Sequence, residues 1–328
     1  MPLILSVRDL PGCRPIVALP AAAAIILGIT LGKLPGNNLL WNELQNTGHT
    51  LLFGLLALLA LCILRAAPAS IHPRPPFDYL FAIIACLIAG IAIEFVQMLS
   101  GRGFSFTDVV RDLGGTIIAL GIYAAPDPKM TSLWSNSRSR RATLFVTCCL
   151  LVASLYPLAN LVYAYQIRNQ AFPVIADFTA RWSKPFLQLQ HASLEEVDPP
   201  REWTAAAGQK SAWLTLLPAR YPGVSIIEPV PDWSAYQYIS LDLYSGNPEP
   251  YDLVMRVHDQ LHDNSLPDRF NRRFTIHPGN NHLRVPLKTI QTAPATRDMD
   301  MAKISGIILF ASDIAAPVNF HASVLRLE

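Results

Sequence analysis

The chain has 328 residues, 51% hydrophobic and 15% charged, where an average soluble domain is roughly 25% charged. A formal net charge of +2, with no basic patch interleaved with aromatics, excludes a nucleic-acid partner. The long apolar runs crowd into 1–165 while 166–328 reads as ordinary soluble sequence, so two domains divided there are expected.

Five apolar segments lie at about 16–32, 50–65, 79–98, 109–125 and 143–164. A helix needs about 20 residues to cross a bilayer. The third and fifth segments qualify; the second and fourth are short and need neighbours or interfacial ends. The first follows Arg8 and Arg14 in the manner of a signal peptide, but Ala21–Ala24 precede its apolar core instead of following it, so an uncleaved span is expected. Lys and Arg in the short connections set the orientation. With the N-terminus inside, the inner segments hold Arg8, Arg14, Arg65, Arg74, Lys129, Arg138, Arg140 and Arg141, and the outer loops only Lys33, Arg102 and Arg111. Five spans then deliver 166–328 to the outer side of an inner (cytoplasmic) membrane, the periplasm. The lipid bilayer is the first partner. Cys62, Cys86, Cys148 and Cys149 sit inside apolar runs as small hydrophobes, and neither a disulfide nor a zinc site is expected.

Polar residues interrupt these spans at one expected membrane face. His49 opens the second span. Glu94 and Gln97, three apart, share a helical face at the end of the third. Arg102 follows in the loop, then Asp108 and Asp112 at i, i+4, with Gly115 and Ala119 continuing the stripe as small residues that let another helix approach. An ionisable group inside a span costs roughly 2.5–3.5 kcal/mol at the helix centre and is a functional candidate by default. Arg102 or His49 is the natural partner of Glu94. Asp108 also has a structural reading, since Ser105-Phe-Thr-Asp108 fits a capping box at a helix start. No nucleophile elbow, HExxH, P-loop or dinucleotide fingerprint accompanies the cluster, and neither a cofactor nor a metal is called for.

The ordered set of His49 with Phe53, Glu94 and Gln97, Arg102, Thr107–Asp108, Asp112 and Gly114–Gly115 resembles the VanZ-like family over roughly 40–125. The resemblance implies a helical membrane domain of the cell envelope and a link to antibiotic resistance. Asn46, Thr47 and Gly48 stand where the family has an acidic/basic pair before the histidine, and Asp112 stands in place of its usual asparagine.

From about 170 onward, short alternating runs bounded by Gly, Pro, Asn and Asp predict an all-β sandwich of eight or nine strands. The order of these strands, with Pro278–Gly279, Asn281 and Val285–Pro286–Leu287, resembles the galactose-binding-type jelly roll of carbohydrate-binding modules. That resemblance implies sugar contacts, for which Trp182, Trp203, Trp213, Trp233, Tyr236 and Tyr238 are the candidates, each weighed against a place in the core. Asp242, Asp259, His262 and Asp263 match no defined metal loop and read as scattered surface acids.

The fold class expected is thus an α-helical transmembrane bundle of about five spans followed by a β-sandwich. The leading function is binding of an envelope glycan, glycolipid or related component. The rivals are an enzyme acting on a lipid-linked precursor through Glu94, His49 and Asp108, and an assembly protein that docks a protein partner.

Overall fold

The computed structural model describes residues 15–31, 36, 38–66, 77–99, 101, 103–131, 137–203 and 210–328. Arg102, and Arg8, Arg14, Lys33 and Arg74 of the orientation argument, lie outside the described residues. The chain divides into two compact units, Met1–Leu161 and Val162–Glu328.

The first unit is helical: α1 (Pro15–Leu31), α2 (Leu39–Ala66), α3 (Phe77–Leu99), α4 (Phe106–Ala124), α5 (Pro128–Thr131) and α6 (Ser137–Ala171), which ends in the second unit. All five apolar segments are helices. Among the described residues α2, α3 and α6 are long and apolar enough to cross a membrane. The apolar stretch of α1 is shorter, and α4 carries Asp108, Arg111 and Asp112. The second segment differs most from expectation. Its helix starts at Leu39, because the Asn38 side chain accepts from the Trp41 N–H at 2.9 Å and caps it. The polar turns around Glu43 and Asn46 are therefore helical, and His49 lies ten residues inside α2 and not at its entry. Cys62 is disulfide-bonded, against expectation; a lone cysteine in an apolar run gives no local sign of a partner.

Small residues decide how these helices meet. A Cβ on Gly115 of α4 would come within 2.0 Å of the Thr50 carbonyl oxygen of α2, and one on Gly54 of α2 within 3.2 Å of the Gly115 oxygen. The two backbones touch there, as small-residue crossings permit. Phe53, Leu56, Ala57, Leu61, Ala82 and Cys86 form the dry core around that crossing.

The second unit is a sandwich of twelve strands: β1 (Val174–Asp177), β2 (Leu187–Gln190), β3 (Ala192–Val197), β4 (Ser211–Leu216), β5 (Gly223–Ile227), β6 (Tyr238–Ser245), β7 (Tyr251–Asp259), β8 (Phe270–Ile276), β9 (Gly279–Pro286), β10 (Ile304–Phe310), β11 (Val318–Ala322) and β12 (Val324–Leu327), with a short α7 (Leu287–Gln291) after β9. Seven strands form one sheet in the order β1-β12-β6-β11-β4-β3, with β9 on the free side of β6; five form the other, β2-β5-β10-β7-β8. Every pairing is antiparallel. Alternation places Ile239, Leu241 and Leu243 of β6 against Leu253, Met255 and Val257 of β7 in one core. The strands beyond the expected eight or nine come largely from β1, β2 and β3. All three are sheet edges; β2 and β3 stay polar ("LQLQ", "ASLEEV"), while β1 ("VIAD") is apolar but only four residues long.

The Gly115 crossing predicts a paired result. Gly115→Ala drives a methyl into a backbone oxygen and should destabilise the helical unit by about 1–3 kcal/mol, as overpacking does. Gly114→Ala, where a Cβ meets nothing within 4 Å, should be neutral or stabilising by about 0.5–1 kcal/mol. Thermal melts of the two purified variants in the same detergent check the contrast.

Candidate functional site

The Gly115–Thr50 contact sets α4 against α2 so that His49 and Asp112, each one turn or less from it, face each other. His49 Nδ1 lies 3.1 Å from Asp112 Oδ1, with the side chains 7% and 3% exposed. On α3, Glu94 Oε2 accepts a 2.7 Å hydrogen bond from the Ser105 backbone N–H, and Glu94 is within electrostatic reach of His49, Asp108 and Asp112. Gln97 Nε2 donates to the Ile29 carbonyl at 3.2 Å and ties α3 to α1. Glu94, Gln97, His49 and Asp112 are all buried. Two of their oxygens, Glu94 Oε1 and Asp112 Oδ2, have no hydrogen-bond partner among the described residues. Asp112 Oδ2 faces Gly90 of α3, where a Cβ would approach to 3.2 Å.

Among the described residues the partner of His49 is therefore Asp112 and that of Glu94 is a backbone N–H; Arg102, the other expected partner of Glu94, lies outside the described residues. Asp108 plays the part of a helix start: its N–H donates to the Ser105 side chain at 3.2 Å, and its carboxylate takes Arg111 at 2.9 Å.

A second polar network, absent from the sequence reading, joins the C-terminal end of α2 to the N-terminal end of α3 and the turn after α4. Arg65 donates through Nε to Asp78 Oδ2 at 2.7 Å and through Nη2 to Asp127 Oδ2 at 2.6 Å. The Tyr79 hydroxyl donates to the same Asp127 oxygen at 2.6 Å. Backbone N–H groups of Tyr79 and Lys129 supply Asp78 Oδ1 and Asp127 Oδ1 at 2.9 and 3.0 Å. Each carboxylate oxygen here has a donor. This network holds the bundle, while the His49 cluster is left short of donors.

In the sandwich, the six candidate aromatics separate. Trp233 is fully buried, with Nε1 donating to the Val230 carbonyl at 2.8 Å; it is core and has no face to offer a sugar. Trp203 is 2% exposed, packed over Tyr244 and His321 on the outer side of the seven-stranded sheet with ring centroids 6.4 and 5.9 Å away, and is likewise covered. Trp213 is half-buried in the same patch, edge-on to His321 at 4.5 Å. Tyr236 and Tyr238 line one hollow of about 370 Å³ with Gln237, Pro286, Lys288 and Gln291. The Arg284 guanidinium sits 3.5 Å from the Tyr238 ring centroid. Trp182 is half-buried in the turn between β1 and β2.

The acids read as surface groups are not all at the surface. Asp259 is buried, and Arg297 grips it through Nη1 and Nη2 at 2.6 and 2.8 Å while reaching Asp268 through Nε and Nη2 at 2.7 and 3.1 Å. Burial alone would raise the Asp259 carboxyl, and the Arg297 hydrogen bonds and charge hold it below the usual range. Hydrogen bonding to Arg297 holds Asp268 low as well. His262, Asp263 and Asp268 bring ligand atoms within 4.8 Å of one another, but Arg297 already takes both oxygens of Asp268. Asp242 pairs with His282 at 2.7 Å.

Comparison with known proteins assigns a family to the helical part. Residues 17–126 match the VanZ/LLP1 family model, so this domain is VanZ-like, and the match begins earlier than the motif did, taking in α1. No curated protein matches the chain. Solved structures similar to it include an exo-β-agarase (15% identity, TM-score 0.39, 47% of this chain and 24% of that one). Others are the family 11 carbohydrate-binding module from Clostridium thermocellum in complex with a β-1,3-1,4-mixed-linked tetrasaccharide (13%, 0.35, 43% and 88%) and a second agarase (16%, 0.35, 47% and 26%). The chain spans about a quarter of the length of the agarases.

The Arg297 bridge makes a pH-dependent prediction. Carboxyls depressed on folding contribute stability that is present above their unfolded pKa of about 4 and is lost as pH falls through the lower folded values. Arg297→Met should lower the melting temperature of the sandwich by several degrees at pH 7. The deficit relative to wild type should narrow steadily below about pH 4, as read by melts from pH 7 to 3.

Proposed function

We propose that the chain is a multi-pass protein of the cell envelope whose VanZ-like helices receive the polar head of an amphiphile, a glycolipid or lipid-linked glycan, at one membrane surface, while its β-sandwich, on the outer side, engages the glycan. The observation that carries this is the pair of buried carboxylate oxygens without donors, Glu94 Oε1 and Asp112 Oδ2. A buried acceptor left unmade costs about 1–3 kcal/mol, more when charged. Hydroxyl or ammonium groups of a headgroup are the donors that such oxygens lack. Tyr236 and Tyr238, sharing one hollow with Lys288 and Gln291, are the aromatic pair best placed to meet a sugar.

A second reading rests on a different observation. The His49–Asp112 hydrogen bond at 3.1 Å is the arrangement in which a carboxylate fixes the tautomer and orientation of an imidazole and leaves Nε2 to act as a base. An enzyme acting on a lipid-linked precursor would then use His49, oriented by Asp112, with Glu94 nearby; Asp108, committed to the helix start, drops out of that set.

Two measurements test these readings. Binding of the full chain in nanodiscs to a panel of envelope glycolipids should weaken about tenfold or more in Glu94→Gln and Asp112→Asn, each lost charge-assisted hydrogen bond being worth about 1.5–3 kcal/mol. Unchanged binding in folded variants would remove the headgroup site, and turnover of the lipid abolished by His49→Ala would favour the enzyme. A phosphatase reporter fused after Glu328 should be active only on the outer side; cytoplasmic activity of a fluorescent fusion would reverse the topology.

A further inference from the structure

The outer face of the five-stranded sheet carries two arginines, Arg256 and Arg269, that make no ion pair with a carboxylate among the described residues. On β7, Arg256 and His258 alternate with the core residues Met255 and Val257 and so project from the opposite face. The register sets Arg256 opposite Asn271 of β8, and Gly306 of β10 beside His258. A Cβ on Gly306 would lie 2.6 Å from the His258 ring, so the ring occupies the space above that glycine. Arg269, just before β8, is extended (φ −155°, ψ 161°) and, by continuation of the register, comes opposite His258. Arg256 and Arg269 are then diagonal neighbours, about 7–8 Å apart along the sheet, a gap that two arginine side chains close.

The polar atoms of this patch lack partners. Arg256 Nε, Arg269 Nε, His258 Nδ1 and Asn271 Oδ1 are buried with no hydrogen bond among the described residues. Arg256 Nη2 donates to His262 Nε2 at 2.8 Å, and His262 Nδ1 in turn donates to the Asp268 carbonyl at 2.9 Å. That chain gives Arg256 a ring nitrogen as its partner and no carboxylate. The nearby carboxylates are committed elsewhere: Asp259 and Asp268 to Arg297, and Asp252, further along the same face, to Arg273 at 3.3 Å and Thr275 at 3.0 Å. Burial first, then the Arg256 charge, pushes the His258 imidazole down to about 4, and burial together with Arg269 lowers Arg256. Positive charge from the neighbouring arginines acts on both groups, and at His258 the nearby Asp259 offsets it only in part.

We propose that this patch binds a single oxyanion group, the carboxylate of an acidic sugar or a phosphate, between the guanidiniums of Arg256 and Arg269 with Asn271 beside them. Guanidinium forks match the planar or tetrahedral oxygens of such groups and bind them by charge-assisted hydrogen bonds. The Asn271 amide has an NH2 to add as a further donor. The diagonal spacing admits one such group, not an extended polyanion. The site is independent of the membrane cluster, and its failure would leave that reading untouched.

The test uses the full chain in nanodiscs of neutral lipid, titrated with inorganic phosphate and separately with glucuronate at constant ionic strength set by chloride, so that general screening stays fixed. Saturable binding of either probe is expected, and the one that binds more tightly tells which oxyanion the patch prefers. Arg256→Gln and Arg269→Gln should each weaken it roughly tenfold or more. In unmutated protein with labelled histidines, the bound anion should also raise the pKa of His258, a readout that no misfolding variant can spoil. Absence of saturable binding by both probes, binding unchanged in both folded variants, or a His258 titration that ignores the bound anion would each overturn the proposal.

Discussion

The contact of Gly115 with the Thr50 carbonyl governs the helical unit. Because neither glycine nor a backbone oxygen can yield, α2 and α4 are held at backbone contact, and His49 and Asp112, either side of that point, are pressed into hydrogen-bond range. Gly90 does the same on the third side, giving Asp112 the room to turn one oxygen toward α3. Removing side-chain volume at three positions thus concentrates charge in a place that apolar packing would otherwise fill. In lipid, where association gains nothing from excluding water between helices, close packing of this kind is what assembles a bundle.

The polar residues of the bundle fall into two layers. On α2, His49 and Arg65 are sixteen residues apart, and so are Asp78 and Glu94 on α3, which at 1.5 Å per residue separates the layers by about 24 Å. That is less than the roughly 30 Å hydrocarbon thickness, so a bilayer centred between the layers would hold both near its edges, where charge is least costly. Between them lies a mostly apolar core that includes Phe53, Leu56, Ala57, Leu61, Ala82, Cys86 and Leu120. The layers differ in how far their acceptors are satisfied. Arg65, Tyr79 and two backbone N–H groups satisfy Asp78 and Asp127 fully, and replacing any partner would only take stability away. The His49 layer keeps two acceptors, Glu94 Oε1 and Asp112 Oδ2, without donors among the described residues.

How much of this the sequence discloses depends on whether the signal is local. Helical spacing sufficed to put Glu94 and Gln97 on one face and Asp112 in line with Gly115, since both follow from 3.6 residues per turn. Asp78 and Asp127 gave no such sign: each stands at a helix boundary, where an aspartate reads as a cap or turn, and their common partner Arg65 is 13 and 62 residues away. In the sandwich, Ala212, Leu214 and Leu216 alternate inward and leave Trp213 on the outer face, a local sign by which the six aromatic candidates were not sorted. Trp233 and Trp203 lie outside strands, where no period distinguishes a core tryptophan from an exposed one. The edge strands β2 and β3 were missed because their exposed positions stay polar, and β1 because four residues are too short to show a period.

The two outer faces of the sandwich handle charge in opposite ways. On the seven-stranded sheet, Asp242 meets His282 across the β6–β9 gap and Glu328 gathers Ser240, Arg284 and Arg326, so these arginines have a carboxylate, the arrangement that cross-strand pairing rewards. On the five-stranded sheet, Arg297 draws both Asp259 and Asp268 to itself and thereby strips Arg256 and Arg269 of the acids closest in sequence. One buried bridge is thus stabilised at the expense of leaving two guanidiniums unmatched. Like charges diagonal to one another on a sheet repel, and a fold selected for stability alone would place an acid at Asn271, directly opposite Arg256. A neutral amide there keeps the positive charge available to something that arrives from outside.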